Sequence, residues 1–380
     1  MNRIKIKSSS LTRIGRRDED LVALVLEALR GALLEADISR ITDVYIASYA
    51  PAELCRLANP MQHLGDAIQL EFPRLRATFR GIFKTGGDAL FSALETIDRQ
   101  APAGRGDVVV IGAEKMTHLP PAQVAGLLSQ RENPHDRAYG ATLPALGALV
   151  TRSYMAAYGV PERALHEVAV KNHGHGSRNP KAHFQNTVTV EEVASSPLVC
   201  DPLRRLHCAP ISDGAAAVLL SLEEGAVWYR GWGKGTDVPM FQERRDISRF
   251  AATAAAAARA LKKANLVPGD IDLVEIHDAF TSFELINLEE MGFFPMGTAW
   301  KKLAEGGLRI NTALAVNTSG GMKAKGHPIG STGVSASVEI HEQLIGRADG
   351  RQHRGARLGM IQSAGGVSNE SYVFVIDQVS

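Results

Sequence analysis

The chain has 380 residues, with 42 Lys or Arg against 41 Asp or Glu and 45% apolar side chains, which predicts two to three packed domains. A net charge of +1 and 6% aromatic residues leave neither a field nor stacking platforms for nucleic acid or anionic lipid. The longest apolar stretches, residues 108–112 and 214–222, are far short of the roughly 20 residues of a spanning helix.

In chain order, residues 1–7 alternate charged and apolar side chains, without the apolar run of a signal peptide. Apolar residues at Leu21, Val22, Leu24, Val25, Leu29 and Leu33 predict an amphipathic helix over 19–36, and residues 42–48 read as a strand. Thr85-Gly86-Gly87 opens a helix to about Ile97, and residues 107–112, apolar on both faces, read as a buried strand. Alternating strands and helices imply parallel βαβ units and an α/β fold. The three cysteines, Cys55, Cys200 and Cys208, form no CxxC pair. That argues against a disulfide framework or a metal cage and predicts a reducing, cytoplasmic setting.

The chain also repeats itself. Residues 32–51 and 260–280 share one plan: Ala-Leu, charged residues, Ala, a break, Asp, a strand and a polar turn. Thr85-Gly86 is matched by Thr332-Gly333, residues 108–112 by 357–362, and the run 212–221 by 368–376. Four matched elements in one order imply a duplicated fold with a pseudo-dyad. Residues from about Thr117 to Ala209 fit neither copy, and include a helical run over 147–158 and the His-rich KNHGHGSRNPKAHFQ. Such an insertion shapes pockets or subunit contacts rather than the core.

Four turns in the second copy carry candidate chemistry. His277-Asp278-Ala279-Phe280 ends a strand, where parallel sheets place working residues. His327 stands in a Gly- and Pro-fixed turn, Gly326–Gly330, ahead of a helix. Asn317-Thr318-Ser319-Gly320-Gly321 is a turn able to approach a ligand closely. Ser363-Ala364-Gly365-Gly366 follows a strand, where backbone N–H groups would form an oxyanion site. Each is weak alone, and together they mark a site.

GAEKM, KNHGHGSRNPKAHFQ, CAPISDGAAAVLLS, HDAF and NTSGGMKAKGHPIGSTG, in that order along the chain, resemble the sterol-carrier-protein-type (non-specific lipid-transfer) branch of the thiolase superfamily. The resemblance covers nearly the whole chain. It implies a duplicated, five-layered α/β/α/β/α sandwich with an inserted loop domain. Residues 1–117 and 210–223 would form the N-terminal half, 118–209 the loop domain, and 224–380 the C-terminal half. It also implies C–C bond formation or cleavage next to a CoA thioester, with the thioester as substrate and neither cofactor nor metal bound. His327 would be the activating base and His277 the donor to the enolate oxygen. Asn317 and Gly365 would join them, with Gly320, Gly321 and Gly366 binding substrate.

Two positions depart from that pattern. Phe83 stands where the nucleophilic cysteine belongs, and Ser363 where the second cysteine belongs. A phenyl ring cannot attack a thioester, so the expectation is enolate chemistry of the retro-aldol or decarboxylating kind, without an acyl-enzyme. Lys84, Thr85 or Asp88 could supply a replacement polar group, although Lys84 reads more simply as solvated and Asp88 as favouring the first helical turn. The alternative is a catalytically silent subunit of a complex with an OB-fold, zinc-ribbon partner. A thiol-dependent enzyme would need a remote cysteine, since none lies between Cys55 and Cys200, and Cys208 reads as a buried structural thiol. The resemblance further implies a homodimer or larger assembly, joined through the edge segment 75–79. It places the CoA pyrophosphate near basic side chains, with Arg178, Lys181 and Lys234 as open choices.

Overall fold

A computed structural model describes residues 3–100, 106–130 and 133–379; residues 1–2 of the N-terminal segment lie outside them. Ten strands form one sheet. The first copy supplies β1 (Ile4–Leu11), β2 (Ile41–Ala47), β3 (Thr78–Ile82) and β4 (Asp107–Glu114). A small hairpin, β5 (Leu198–Cys200) and β6 (Leu203–Arg204), belongs to the insertion, and β7 (Gly214–Ser221) returns to the main sheet. The second copy supplies β8 (Val227–Thr236), β9 (Leu273–Glu275), β10 (Ala315–Val316), β11 (Leu358–Gly365) and β12 (Glu370–Gln378).

The strand order β3-β2-β4-β7-β1 continues into β8-β12-β11-β9-β10. Ranked along the chain, each half reads third, second, fourth, fifth, first from its outer edge inwards. The directions match too: β2 runs parallel to β3 and β4, and β9 parallel to β10 and β11, while β7 and β12 run antiparallel to their neighbours. The two copies meet where β1 pairs antiparallel with β8.

Alternation along the strands shows the layers. Val108 and Val110 of β4 face one core with Tyr372 and Phe374 of β12, whereas Val109 and Ile111 face a second core and Val373 and Val375 a third. The shared core holds the helices Gly86–Gln100 and Val334–Leu344, which touch strands of both halves. The helix Leu21–Ala32 covers the outer face of the first half, and Ala251–Ala264 that of the second. The fold is therefore α/β/α/β/α, as its period-2 pattern requires. At its centre the two matched Thr-Gly turns pack on one another. A Cβ added to Gly333, whose φ is +76°, would lie 2.5 Å from the Gly87 nitrogen, so only glycine permits this approach.

Several boundaries differ from expectation. Asp20 caps the first helix, its carboxylate accepting from the Ala23 N–H, so the helix starts at Leu21 and ends at Ala32. The run 147–158 begins earlier, at Leu143, behind the Thr142 cap. The edge strand is Thr78–Ile82, not 75–79. Leu75 is 1% exposed and packs in the chain's own core, so of the segment 75–79 only Thr78 and Phe79 lie in the edge strand. Ser363, Ala364 and Gly365 form no turn. β11 runs on through Gly365, pairing these residues with Tyr372, Ser371 and Glu370 of β12. The insertion adds no strand to the main sheet among the described residues. It contributes helices: Glu162–Gly176 and Leu143–Tyr158 pack on the second copy's helix Thr281–Glu290, and Pro121–Ser129 packs on Leu143–Tyr158 and on the first copy's Pro51–Cys55.

Candidate functional site

The carboxyl end of β9 is held in place by side-chain amides. The Ile276 N–H donates to Asn317 Oδ1 at 2.7 Å and the His277 N–H to Gln362 Oε1 at 3.0 Å. Asn287 Nδ2 donates to the His277 carbonyl at 3.2 Å. Behind this turn lies a buried polar cluster. The Asp278 carboxylate accepts from Asn172 Nδ2 at 2.7 Å and from the Met322 N–H at 2.6 Å. Glu284 accepts from Asn172 and Asn317 and pairs with Lys171 at 3.1 Å. Burial, with the Glu284 charge beside it, pushes the Asp278 carboxyl up to about 7. The His-rich run of the insertion is thus largely structural: Lys171 and Asn172 anchor the turn that follows His277, and His175 Nδ1 bonds the Asn317 carbonyl at 3.0 Å.

His327 arrives from the other side. Its backbone N–H donates to Ser212 Oγ at 3.2 Å, and that hydroxyl also bonds His183 Nδ1 at 2.8 Å. The His277 and His327 rings lie 5.2 Å apart, edge to face at 90°. They share a cavity of ≈ 180 Å³ whose other walls are mostly apolar. Leu128, Leu143 and Cys208 come from the insertion, Ile211 from the segment after it, and Phe280, Phe283 and Ala364 from the second copy. Burial, with His327 nearby, holds His277 well below the ordinary imidazole range, and burial alone pushes His327 down to about 4. Both rings are neutral at physiological pH. The Ala364 N–H points at His277 Nδ1 at 3.4 Å, which makes that nitrogen the acceptor and assigns the proton to Nε2. His277 thus offers a donor and His327 an unprotonated nitrogen, in a mostly apolar pocket where such dipoles act more strongly than in water.

A direct check of this electrostatic state is the His327 Cε1–H resonance, identified by its loss in His327→Ala. A depressed imidazole is fully unprotonated above its folded pKa, so the resonance is expected to hold its neutral position from pH 8 down to about pH 5.5. A midpoint near 6.5 would mean that water reaches the ring.

The other expected residues are placed as follows. Asn317, with φ +52°, does not line the cavity, because both ends of its amide are committed to Ile276 and Glu284. Gly320 and Gly321 pack against Gly176 and the Asp278 carboxylate, and serve close packing rather than the cavity wall. Gly366 lines the cavity, whereas Gly365 borders an adjoining outer cleft. The Ala364 N–H is directed at His277 rather than free to serve an oxyanion. Ser363 is buried away from the cavity, beside Gly87. Phe83 is 43% exposed and borders the outer cleft, outside the histidine cavity. Lys84 pairs with Glu370 at 2.9 Å. Of Arg178, Lys181 and Lys234 none lines the cavity or the outer cleft; Lys234 lies 3.9 Å from Glu370, which borders the cleft.

Two wall residues carry no advance signal. Cys208, read from sequence as structural, lines the cavity, though burial pushes its thiol up to about 12 and leaves it protonated. Tyr49, at the end of the β2 segment, lines both the cavity and the cleft. Among the described residues no group of His, Cys, Asp and Glu could hold a metal ion, and no helix is long and apolar enough to cross a membrane.

A duplicated five-layer α/β sandwich with one histidine after a strand end and another in a turn after a short helix, both in one mostly apolar cavity, defines a narrow class. The profile for the thiolase N-terminal domain matches residues 4–224, and that for the thiolase C-terminal domain-like family matches residues 233–378. The chain belongs to the thiolase superfamily, in its sterol-carrier-protein-type branch. It is 39% identical over 303 residues to an acetyl-CoA acetyltransferase of Methanothermobacter thermautotrophicus, a match covering 77% of this chain and 78% of that one. It is 33% identical over 305 residues to sterol carrier protein 2 of Gallus gallus, covering 74% of this chain and 54%, about half, of that relative. Among solved structures, an Ltp2-ChsH2(DUF35) aldolase superposes with a TM-score of 0.82 at 20% identity, over 99% of this chain and 98% of that one. A monomeric SCP2-thiolase-like protein type 1 from Mycobacterium smegmatis gives 0.72 at 18% identity, over 99% and 77%. At these identities the two structures speak for the fold alone.

Proposed function

We propose that this protein acts on acyl-CoA thioesters, making or breaking the C–C bond next to the thioester carbonyl through an enolate and without an acyl-enzyme. One observation carries the reading: His277, fixed as an Nε2–H donor, faces the unprotonated His327 across an apolar cavity that no nucleophilic turn cysteine enters. His277 donates to the thioester oxygen as negative charge builds there. His327 takes and returns the proton, and the apolar walls exclude water that would quench the enolate. Phe83 replaces the nucleophile, and the high-pKa Cys208 does not substitute for it. The names of two relatives support the reading: one is an acetyl-CoA acetyltransferase and the other an aldolase assembled with a DUF35 chain. The second supports a companion chain for this protein too, of the OB-fold, zinc-ribbon kind. The exposed edge β3 is the surface proposed for a second copy of the chain.

The test is intact-protein mass spectrometry beside a titration with acetyl-CoA and a β-ketoacyl-CoA, with light scattering on the same samples to read the assembly. Saturable binding without a mass shift is the expected result. A stable acyl adduct would mean a hidden nucleophile. Absence of binding, with or without a partner chain, would leave a silent subunit.

A further inference from the structure

The cavity does not end at the histidines. It adjoins an outer cleft of ≈ 390 Å³, and Tyr49, Thr85 and Gly366 line both chambers. Thr85 therefore stands at the neck. It is 3% exposed, and among the described residues its hydroxyl has no hydrogen-bond partner. It immediately precedes the 15-residue helix Gly86–Gln100 and so sits at that helix's positive dipole end. A buried hydroxyl without a partner is costly unless a ligand atom completes it. The chambers differ in character: the inner walls are mostly apolar, while the cleft carries Lys84, Asn369 and Glu370.

We propose that Thr85 binds the β-oxygen of a β-hydroxyacyl thioester, so that the scissile Cα–Cβ bond lies at the neck between Thr85 and the two histidines. This rests on the enolate reading of the site. The three polar groups then take the three oxygen and proton sites of one reaction. Thr85 donates to the β-oxygen, and His327 accepts the β-hydroxyl proton. The Cα–Cβ bond breaks, its electron pair forms the thioester enolate held by His277, and the β-carbon becomes the carbonyl of an aldehyde or ketone. The enolate recovers the proton at Cα and is released as the shortened thioester. The steps balance without oxidant, reductant or a second substrate. The reverse sequence joins a thioester to a carbonyl compound through the same three contacts. The outer cleft receives the carbonyl fragment, whose polar end would find no partner among the inner apolar walls.

The experiment compares equilibrium binding of 3-hydroxybutyryl-CoA and butyryl-CoA to the whole protein, with ligand integrity checked by chromatography after each titration. The unaltered protein is expected to bind the hydroxy ligand about tenfold more tightly, as for one completed hydrogen bond to a buried group. Thr85→Val, an isosteric change that removes only the unpartnered hydroxyl, is expected to abolish that preference and leave butyryl-CoA affinity unchanged. Thr85→Ser is expected to keep the preference. Equal affinities in the unaltered protein, or a loss shared by both ligands in Thr85→Val, would overturn the role of Thr85 while leaving the acyl-CoA reading in place. Failure of both thioesters to bind the unaltered protein would overturn the role of Thr85 and the acyl-CoA reading together.

Discussion

Replacing His277 with Ala is expected to lower turnover of a cleavable acyl-CoA about 10²–10³-fold, the usual loss for one donor to a developing oxyanion. The fall should appear in kcat, with KM changed little, because the Nε2–H contact strengthens only as charge reaches the thioester oxygen. His327→Ala is expected to lose a similar factor through the missing proton acceptor. Since the two rings lie 5.2 Å apart and in the proposed reaction would serve one intermediate, the double variant should lose less than the product of the single losses. Steady-state rates on the four proteins decide the matter. A His277→Ala enzyme that keeps kcat and loses only affinity would reduce this residue to a binding contact.

Lys171→Met is expected to cost about 3–5 kcal/mol of stability, the range for removing one partner of a buried ion pair. Lys171 is 0% exposed, pairs with Glu284 at 3.1 Å and donates to the Val316 carbonyl at 3.0 Å. Without it, Glu284 would face the neighbouring Asp278, already held up at about 7, with no cation between them. The loss is read from urea unfolding midpoints at constant slope. Adding Glu284→Gln should recover part of it, because the orphaned charge goes as well. A loss below about 1 kcal/mol, the level of an exposed pair, would show that water reaches the cluster.

The duplication was legible because its signals are local and repeated. Residues 107–112 are apolar on both faces, so they read as a buried strand, and the Thr-Gly turns mark matching helix starts. The histidine pair was legible because Gly and Pro fix the turn around His327 and a strand precedes His277. Asn317 was misplaced for a physical reason. Its Gly-rich surroundings look like a ligand loop, but tertiary hydrogen bonds consume both ends of its amide. The Gly365-Gly366 pair reads as a turn, yet pairing with β12 overrides local propensity and carries the strand through Gly365. Leu75 lies beside the true edge strand, and which of two adjacent apolar segments turns inward depends on packing that no short pattern records. Thr85 could be weighed only beside Lys84 and Asp88, because what distinguishes it is the absence of a partner for its hydroxyl, visible only once the whole chain is folded.

The packing of Gly333 against Gly87 has an electrostatic consequence. It brings together the amino-terminal ends of two helices, Gly86–Gln100 and Val334–Leu344, one from each copy. Each end carries roughly half a positive charge from its aligned peptide groups. The molecule thus holds a fixed cationic focus at its pseudo-dyad, built from backbone alone. Unlike a lysine or an imidazolium, that focus cannot be titrated or alkylated, and it rests instead on the missing Cβ at Gly333. An anion formed nearby would be favoured at every pH at which the chain stays folded, and gene duplication would have supplied the focus in one step.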